Sequence, residues 1–201
     1  VMPLTWEYES EYRKTSVVCG CDEAGRGPLA GPVYAAAVIL PDGADICGLD
    51  DSKKLSAKQR EAVRGRILET ALDSAVAFAT VEEIESLNIL GASLLAMRRA
   101  VEALRIRPSL LLIDGNVARG FAEPAVAVIG GDAKYPSVAA ASVLAKTARD
   151  AYCIEADAQY PQYGFAQHKG YGTKAHRAAI LQYGPCPLHR KSFLKKLWEK
   201  V

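Results

Sequence analysis

In the stretch Val17-Val18-Cys19-Gly20-Cys21-Asp22-Glu23-Ala24-Gly25-Arg26-Gly27, a short apolar run ends in two adjacent carboxylates and passes at once into a glycine-flanked arginine. Neighbouring carboxylates at a strand end repel each other and lose water when partly buried. Hard divalent cations, which prefer oxygen ligands, are the usual means of holding such a pair together. The pattern recurs: Asp114 ends Leu110-Leu111-Leu112-Ile113, and Asp132 follows Val126-Ala127-Val128-Ile129-Gly130-Gly131. Capping of a strand or turn accounts for any one of these acids. Four acids, each after an apolar run, point instead to one shared site. Four negative charges in one place also predict that at least one carboxyl titrates above its ordinary range when no metal is bound.

Outward from that motif, Val17 to Asp22 predicts a first strand and Val33 to Leu40 a second, with Pro41-Asp42-Gly43 as a turn. Ser56 and Gln59 form a capping box for a helix to about Leu72. Ala75 to Val81 predicts a third strand. Apolar residues at three- and four-residue steps from Leu87 to Leu104 predict a helix closed by Pro108. Ser109 to Ile113 and Ala125 to Ile129 follow as strands. Pro136 suits the first turn of a long helix to about Tyr152 or beyond, whose many alanines imply a close approach to the sheet. Gly164 to Gly172 reads as a polar connection, followed by helices from Thr173 to Gly184 and from Lys191 to Lys200. This order predicts an α/β fold: a mixed sheet of about five strands flanked by helices, rather than a doubly wound parallel sheet. Residues 1–184 are expected to form one domain, with 185–201 a small basic helical extension packed on it.

With 201 residues, half of them apolar, the chain can bury a substantial core. No apolar stretch approaches the roughly 18 residues of a membrane span, and Val1 to Lys14 does not read as a signal peptide. Five scattered cysteines suggest a reducing, cytoplasmic setting, with Cys19 and Cys21 as buried thiols on one strand face. Net charge is only +2, but residues 166–201 hold eight Lys or Arg against one acid, while 1–165 hold seventeen against twenty-two. An acidic body with a basic end suits a polyanionic, metal-bridged partner, which points to nucleic acid. Taken alone, the basic run fits a solvated helix face equally well.

Carboxylates at the ends of strands in one sheet can hold two divalent ions about 3.5–4 Å apart, polarising a phosphodiester and activating water. Mg²⁺ is the natural choice, since it binds through a few carboxylates plus phosphate oxygens and water. Gly25, Gly27 and Gly31 do not have dinucleotide-loop spacing, and a strand rather than a helix follows them. They suit a tight loop whose backbone approaches a ribose and its phosphates. His168, His176 and His189 lie outside the acidic motifs, so metal-activated water is favoured over histidine acid–base cleavage. Each histidine is expected at the surface or facing phosphate. Tyr171, between glycines, suits stacking on a sugar or base, or equally a core position. Lys53 and Lys54 suit phosphate contacts, or an ordinary exposed pair.

Together these segments resemble the ribonuclease HII family of the ribonuclease H-like fold. The resemblance rests on CDEAGRGPLAGPV from Cys21, DSKKLS from Asp51, LLIDGN from Leu111, GGDAKYPSVAAASVLAKTARD from Gly130 and HKGYGTKAH from His168. It implies that Asp22, Glu23, Asp114 and Asp132 are the catalytic, metal-binding carboxylates for two Mg²⁺ or Mn²⁺ ions. Gly25, Arg26 and Gly27 would read the ribose 2′-hydroxyl at an RNA–DNA junction, with Tyr171 stacking near the neighbouring deoxyribose. It further implies hydrolysis of RNA in RNA–DNA hybrids and nicking 5′ of single ribonucleotides in duplex DNA, leaving 3′-hydroxyl and 5′-phosphate ends. A monomer is expected. A catalytically silent hybrid-binding module, or another nuclease of this architecture such as a resolvase or DNA-only endonuclease, are the alternatives.

Overall fold

In a computed structural model of the chain, which describes residues 4–50 and 52–198, the opening motif forms the central strand of a five-stranded sheet. The strands are β1 (Val18–Ala24), β2 (Val33–Ile39), β3 (Asp73–Ala79), β4 (Leu110–Asp114) and β5 (Ala125–Val128), in spatial order β3-β2-β1-β4-β5. β1 and β2, and β2 and β3, pair antiparallel; β1 and β4, and β4 and β5, pair parallel. The mixed sheet expected from the element order is therefore present. The helices are α1 (Glu7–Arg13), α2 (Ala57–Thr70), α3 (Val81–Glu102), α4 (Pro136–Gln159), α5 (Phe165–His168), α6 (Lys174–Tyr183) and α7 (Lys191–Trp198). Asp51, and the expected end of the last helix at Lys200, lie outside the described residues.

Alternation along the strands divides two apolar layers. Cys19, Cys21, Ala35, Ala37, Leu111 and Ile113 pack with Ala92, Ala96, Met97 and Ala100 of α3 on one face. On the other, Ala36, Val38 and Leu40 meet Val63 and Ile67 of α2 and Ala140 to Ala145 of α4, while Val18 and Leu112 meet Val138. Cys19 and Cys21 are buried together, with their sulfurs 3.9 Å apart, as the strand reading expects. Gly20 explains how closely α4 approaches: a Cβ there would lie 2.2 Å from the Ser137 carbonyl carbon.

Three local expectations change. β3 ends at Ala79, and Thr80 caps α3 in a capping box with Glu83, so the helix begins before Leu87. Asn88, at φ 59°, breaks α3, and its Oδ1 restarts the helix by accepting from the Leu90 and Gly91 amides at 3.0 and 3.2 Å. α1 was not expected. Its Glu9 is fully buried, pairs with Arg13 and accepts from the Ser137 amide at 2.9 Å, supplying a side-chain cap to the N-terminus of α4.

Candidate active site

Because side chains alternate, Asp22, two residues before the end of β1, and Asp114, at the end of neighbouring β4, project to the same face, the one covered by α4. Glu23 projects to the opposite face and accepts from Arg26 Nη1 at 3.3 Å. Asp132 does not end a strand. β5 stops at Val128, and Asp132 sits in a 3₁₀ turn (131–133) leading into α4. That turn is tied to β4 by the Gly131 amide, which donates to Asp114 Oδ1 at 2.7 Å. One carboxylate oxygen from each of Asp22, Asp114 and Asp132 lies within 4.8 Å of the others. Glu23 stands beside this group rather than in it.

The electrostatics follow the crowding. Burial, with Glu23 and Asp114 adding to it, holds the Asp22 carboxyl well above its ordinary range. Burial also raises Glu23, partly offset by Arg26 and reinforced by Asp114. Asp114 is raised by burial and by Asp132, against the opposing Gly131 amide and Lys53. Lys53 Nζ donates to Asp132 Oδ2 at 2.8 Å. Three oxygens packed in this way, each disfavouring its neighbour's charge, match the donor chemistry of a hard divalent cation.

These residues border a cleft of about 240 Å³ that Asp22, Glu23 and Asp114 share with Gly25, Arg26, Gly27, Lys53 and Tyr171. Gly25, at φ +105°, adopts backbone that glycine favours, and a Cβ there would lie 2.1 Å from Arg149 Nε. Tyr171 is 45% exposed, and its ring lies 3.6 Å from where a Gly27 Cβ would stand, so it faces the loop rather than the core. Lys54 instead bonds Asp50 Oδ1 at 2.9 Å and does not line the cleft.

Four further lining residues with polar side chains escaped the sequence reading: Ser52, Ser142, Lys146 and Arg149. Ser52 and Ser142 hydroxyls are buried 2.9 Å apart, and Ser142 partly offsets the rise in the Asp22 carboxyl. Lys146 pairs with Asp150 at 2.7 Å, and Asp150 in turn meets Arg60, whose Nη1 holds the Ser52 carbonyl at 3.0 Å. Ser142, Lys146 and Arg149 follow the helical i, i+4, i+7 step behind Asp132, a spacing that could have revealed them.

The histidines also differ from expectation. His176 and His189 are buried, not surface or phosphate-facing, and their Nε2 atoms lie 3.1 Å apart.

Residues 19–201 match the family profile described as Ribonuclease HII. Among curated proteins, the chain is 59% identical over 177 residues to the ribonuclease HII of Albidiferax ferrireducens, covering 88% of this chain and 86% of that protein. It is 53% identical to the ribonuclease HII of a Polaromonas species, covering 95% and 93%. Among solved structures, the ribonuclease H2 of Pyrococcus horikoshii superposes with a TM-score of 0.74 at 27% identity, covering 91% of this chain and 97% of that one.

Proposed function

The chain belongs to the ribonuclease HII family, and from that premise we propose that it nicks duplex DNA 5′ of an embedded ribonucleotide and cuts RNA in RNA–DNA hybrids. It is a metal-dependent endoribonuclease of the ribonuclease H type. The finer assignment, a cut leaving 3′-hydroxyl and 5′-phosphate ends, is carried by the convergence of three carboxylates beside a glycine loop.

Asp22, Asp114 and Asp132 would hold divalent cations, with Glu23 a fourth ligand reached from the other side of β1. Two such ions, when bound, would supply activation of water and stabilisation of the charge that develops on the phosphate and the leaving oxygen. Magnesium and manganese both suit an all-carboxylate donor set. Lys53 balances Asp132 and lies at the cleft, where it can meet phosphate. Gly25, Arg26 and Gly27 present backbone close to Glu23, so a ribose 2′-hydroxyl can be sensed within a few ångströms of the cut. Tyr171, exposed against Gly27, offers a ring for the adjoining sugar. Residues 185–201 serve as an extension of the catalytic domain. In support, Arg190 bonds five carbonyls of the 25–32 loop, and Leu194 is buried with Ala30 and Ile180.

The test is a nicking assay on a duplex carrying one ribonucleotide, beside an all-DNA duplex, with and without EDTA. The ribonucleotide-containing strand should be cut at one position, and the all-DNA duplex left intact. Asp22→Asn or Asp132→Asn should lower turnover by at least about 100-fold, since a metal contributes several kcal/mol of transition-state stabilisation. Near-normal activity in either variant, or equal cutting of both duplexes, contradicts the proposal.

A further inference from the structure

Two guanidinium groups are enclosed behind the Gly25-Arg26-Gly27 loop. Arg190 is 0% and Arg149 1% exposed, and among the described residues neither bonds a carboxylate. Their partners are main-chain carbonyls. Arg190 donates from Nε to Gly31 at 2.9 Å, from Nη1 to Arg26 and Pro28 at 3.0 and 2.9 Å, and from Nη2 to Gly25 and Pro32 at 2.7 and 3.4 Å. Its amide donates to the Leu29 carbonyl at 2.8 Å. Arg149 donates to Ala30, Pro32 and Lys169 carbonyls at 3.2, 3.4 and 3.0 Å. Of the eight residues 25–32, Gly27 alone has a carbonyl that neither arginine binds.

We propose that Arg190 and Arg149 are positioning residues for junction selectivity: their guanidinium groups set the angle at which the Gly25-Arg26-Gly27 backbone meets the substrate sugar. The proposal rests on the reading of that loop as the 2′-hydroxyl sensor. A trans peptide points its carbonyl and the following N–H in opposite directions. Drawing the Gly25 and Arg26 carbonyls inward onto Arg190 therefore turns the Arg26 and Gly27 amides outward, on a loop that lines the cleft. Arg149 fixes the same loop from α4, its Nε in the space a Gly25 Cβ would occupy, and reaches the Lys169 carbonyl two residues before Tyr171. Stability alone is a poor reason for the pair. Enclosing like charges costs several kcal/mol, and apolar side chains of that size would avoid the penalty. Only a planar fork of five donors can hold this many carbonyls in set directions; a lysine ammonium offers three donors from one point.

The effect should depend on substrate. A strand of consecutive ribonucleotides offers a 2′-hydroxyl in every register, so a misaimed loop can still find one, whereas a lone ribonucleotide offers a single register. Kinetics of Arg190→Lys and Arg149→Lys would be measured on both substrates, with melting curves. We expect kcat/KM on the single-ribonucleotide duplex to fall about 10- to 100-fold, mainly in kcat, in line with an ångström-scale misplacement. The loss on the hybrid should be at least about fivefold smaller. Equal losses on both substrates, or a melting shift with the selectivity ratio unchanged, overturn the proposal. So does failure of both variants to fold, which would assign the pair to stability. The parent protein tests the underlying reading separately: if it cuts all-DNA and ribonucleotide-containing duplexes alike, the sensor assignment fails.

Discussion

The Cys186 amide donates to His189 Nδ1 at 2.9 Å, a shorter contact than the 3.3 Å from Nδ1 to the Cys186 carbonyl, which favours the His189 proton on Nε2. His176 Nε2 lies 3.1 Å away and accepts it, while His176 Nδ1 donates to the Tyr171 carbonyl at 2.9 Å. Two neutral imidazoles thus form a relay of fixed direction from Cys186 to Tyr171. A further proton would set two N–H groups against each other. Burial pushes His176 down to about 4 and lowers His189 as well. Between about 6.5, the ordinary histidine value, and about 4, the unfolded chain takes up a proton that folded His176 refuses. The stability held by this group is therefore complete above about 6.5 and is lost as pH falls through that window. Urea unfolding at pH 7, 5.5 and 4.5 should show the parent losing on the order of 2–3 kcal/mol more than His176→Gln over this range. Parallel pH profiles for the two proteins would contradict the relay.

Elements meet most closely where β1 passes under α4, and Gly20 makes that contact possible. A Cβ there would stand 2.2 Å from Ser137 C and 2.3 Å from Val138 N, both backbone, so the helix must move. Gly20→Ala should cost about 1–3 kcal/mol or more, as overpacking does. It should also lower turnover, because α4 carries Ser142 and follows directly from the Asp132 turn. Gly65→Ala in α2 is the control: nothing lies within 4 Å, and helix propensity favours the change by roughly 0.5–1 kcal/mol. Melting curves and turnover for the two variants decide the matter, and a harmless Gly20→Ala would contradict the close-contact account. This layer was legible in sequence, since alanines on α4 and strand alternation predict it. Asp22 and Asp114 were legible for the same reason, lying near the end and at the end of their strands. Asp132 was identified from a wrong premise: its apolar run stops forming sheet at Val128, and a glycine-led 3₁₀ turn brings it in. Other features were concealed. Glu9 caps a helix 128 positions away, which no local pattern encodes. The Thr80–Glu83 capping box was present in the sequence, but an apolar run reaching Val81 disguised it as strand.

Across the whole molecule, charge is divided less simply than the sequence count implies. Arg190, one of the eight basic residues after position 165, faces the interior and binds carbonyls, so it is lost to any nucleic-acid surface. The opposite sign is concentrated at the open ends of β1 and β4, where burial raises the carboxyl groups of Asp22, Glu23 and Asp114 and neighbouring carboxylates add to each rise. A raised carboxyl holds its proton to a higher pH than an ordinary one, and a divalent cation must displace any proton it holds. A cation bound by the fold and not by the unfolded chain adds about 2.7 kcal/mol at 100 times its Kd. In a domain of this size that is roughly 5–10 °C of melting temperature. Titrating the metal-free protein with manganese or magnesium should therefore raise Tm saturably. Calorimetry in two buffers of unlike ionisation enthalpy should register proton release on binding. In Asp22→Asn the metal-free protein should melt at or above the parent at pH 7, because a buried, repelled carboxylate has been replaced by a neutral amide. Its metal-induced rise should shrink by at least half. A metal response that survives unchanged in Asp22→Asn, or uptake without proton release, would place the cation away from these strand ends.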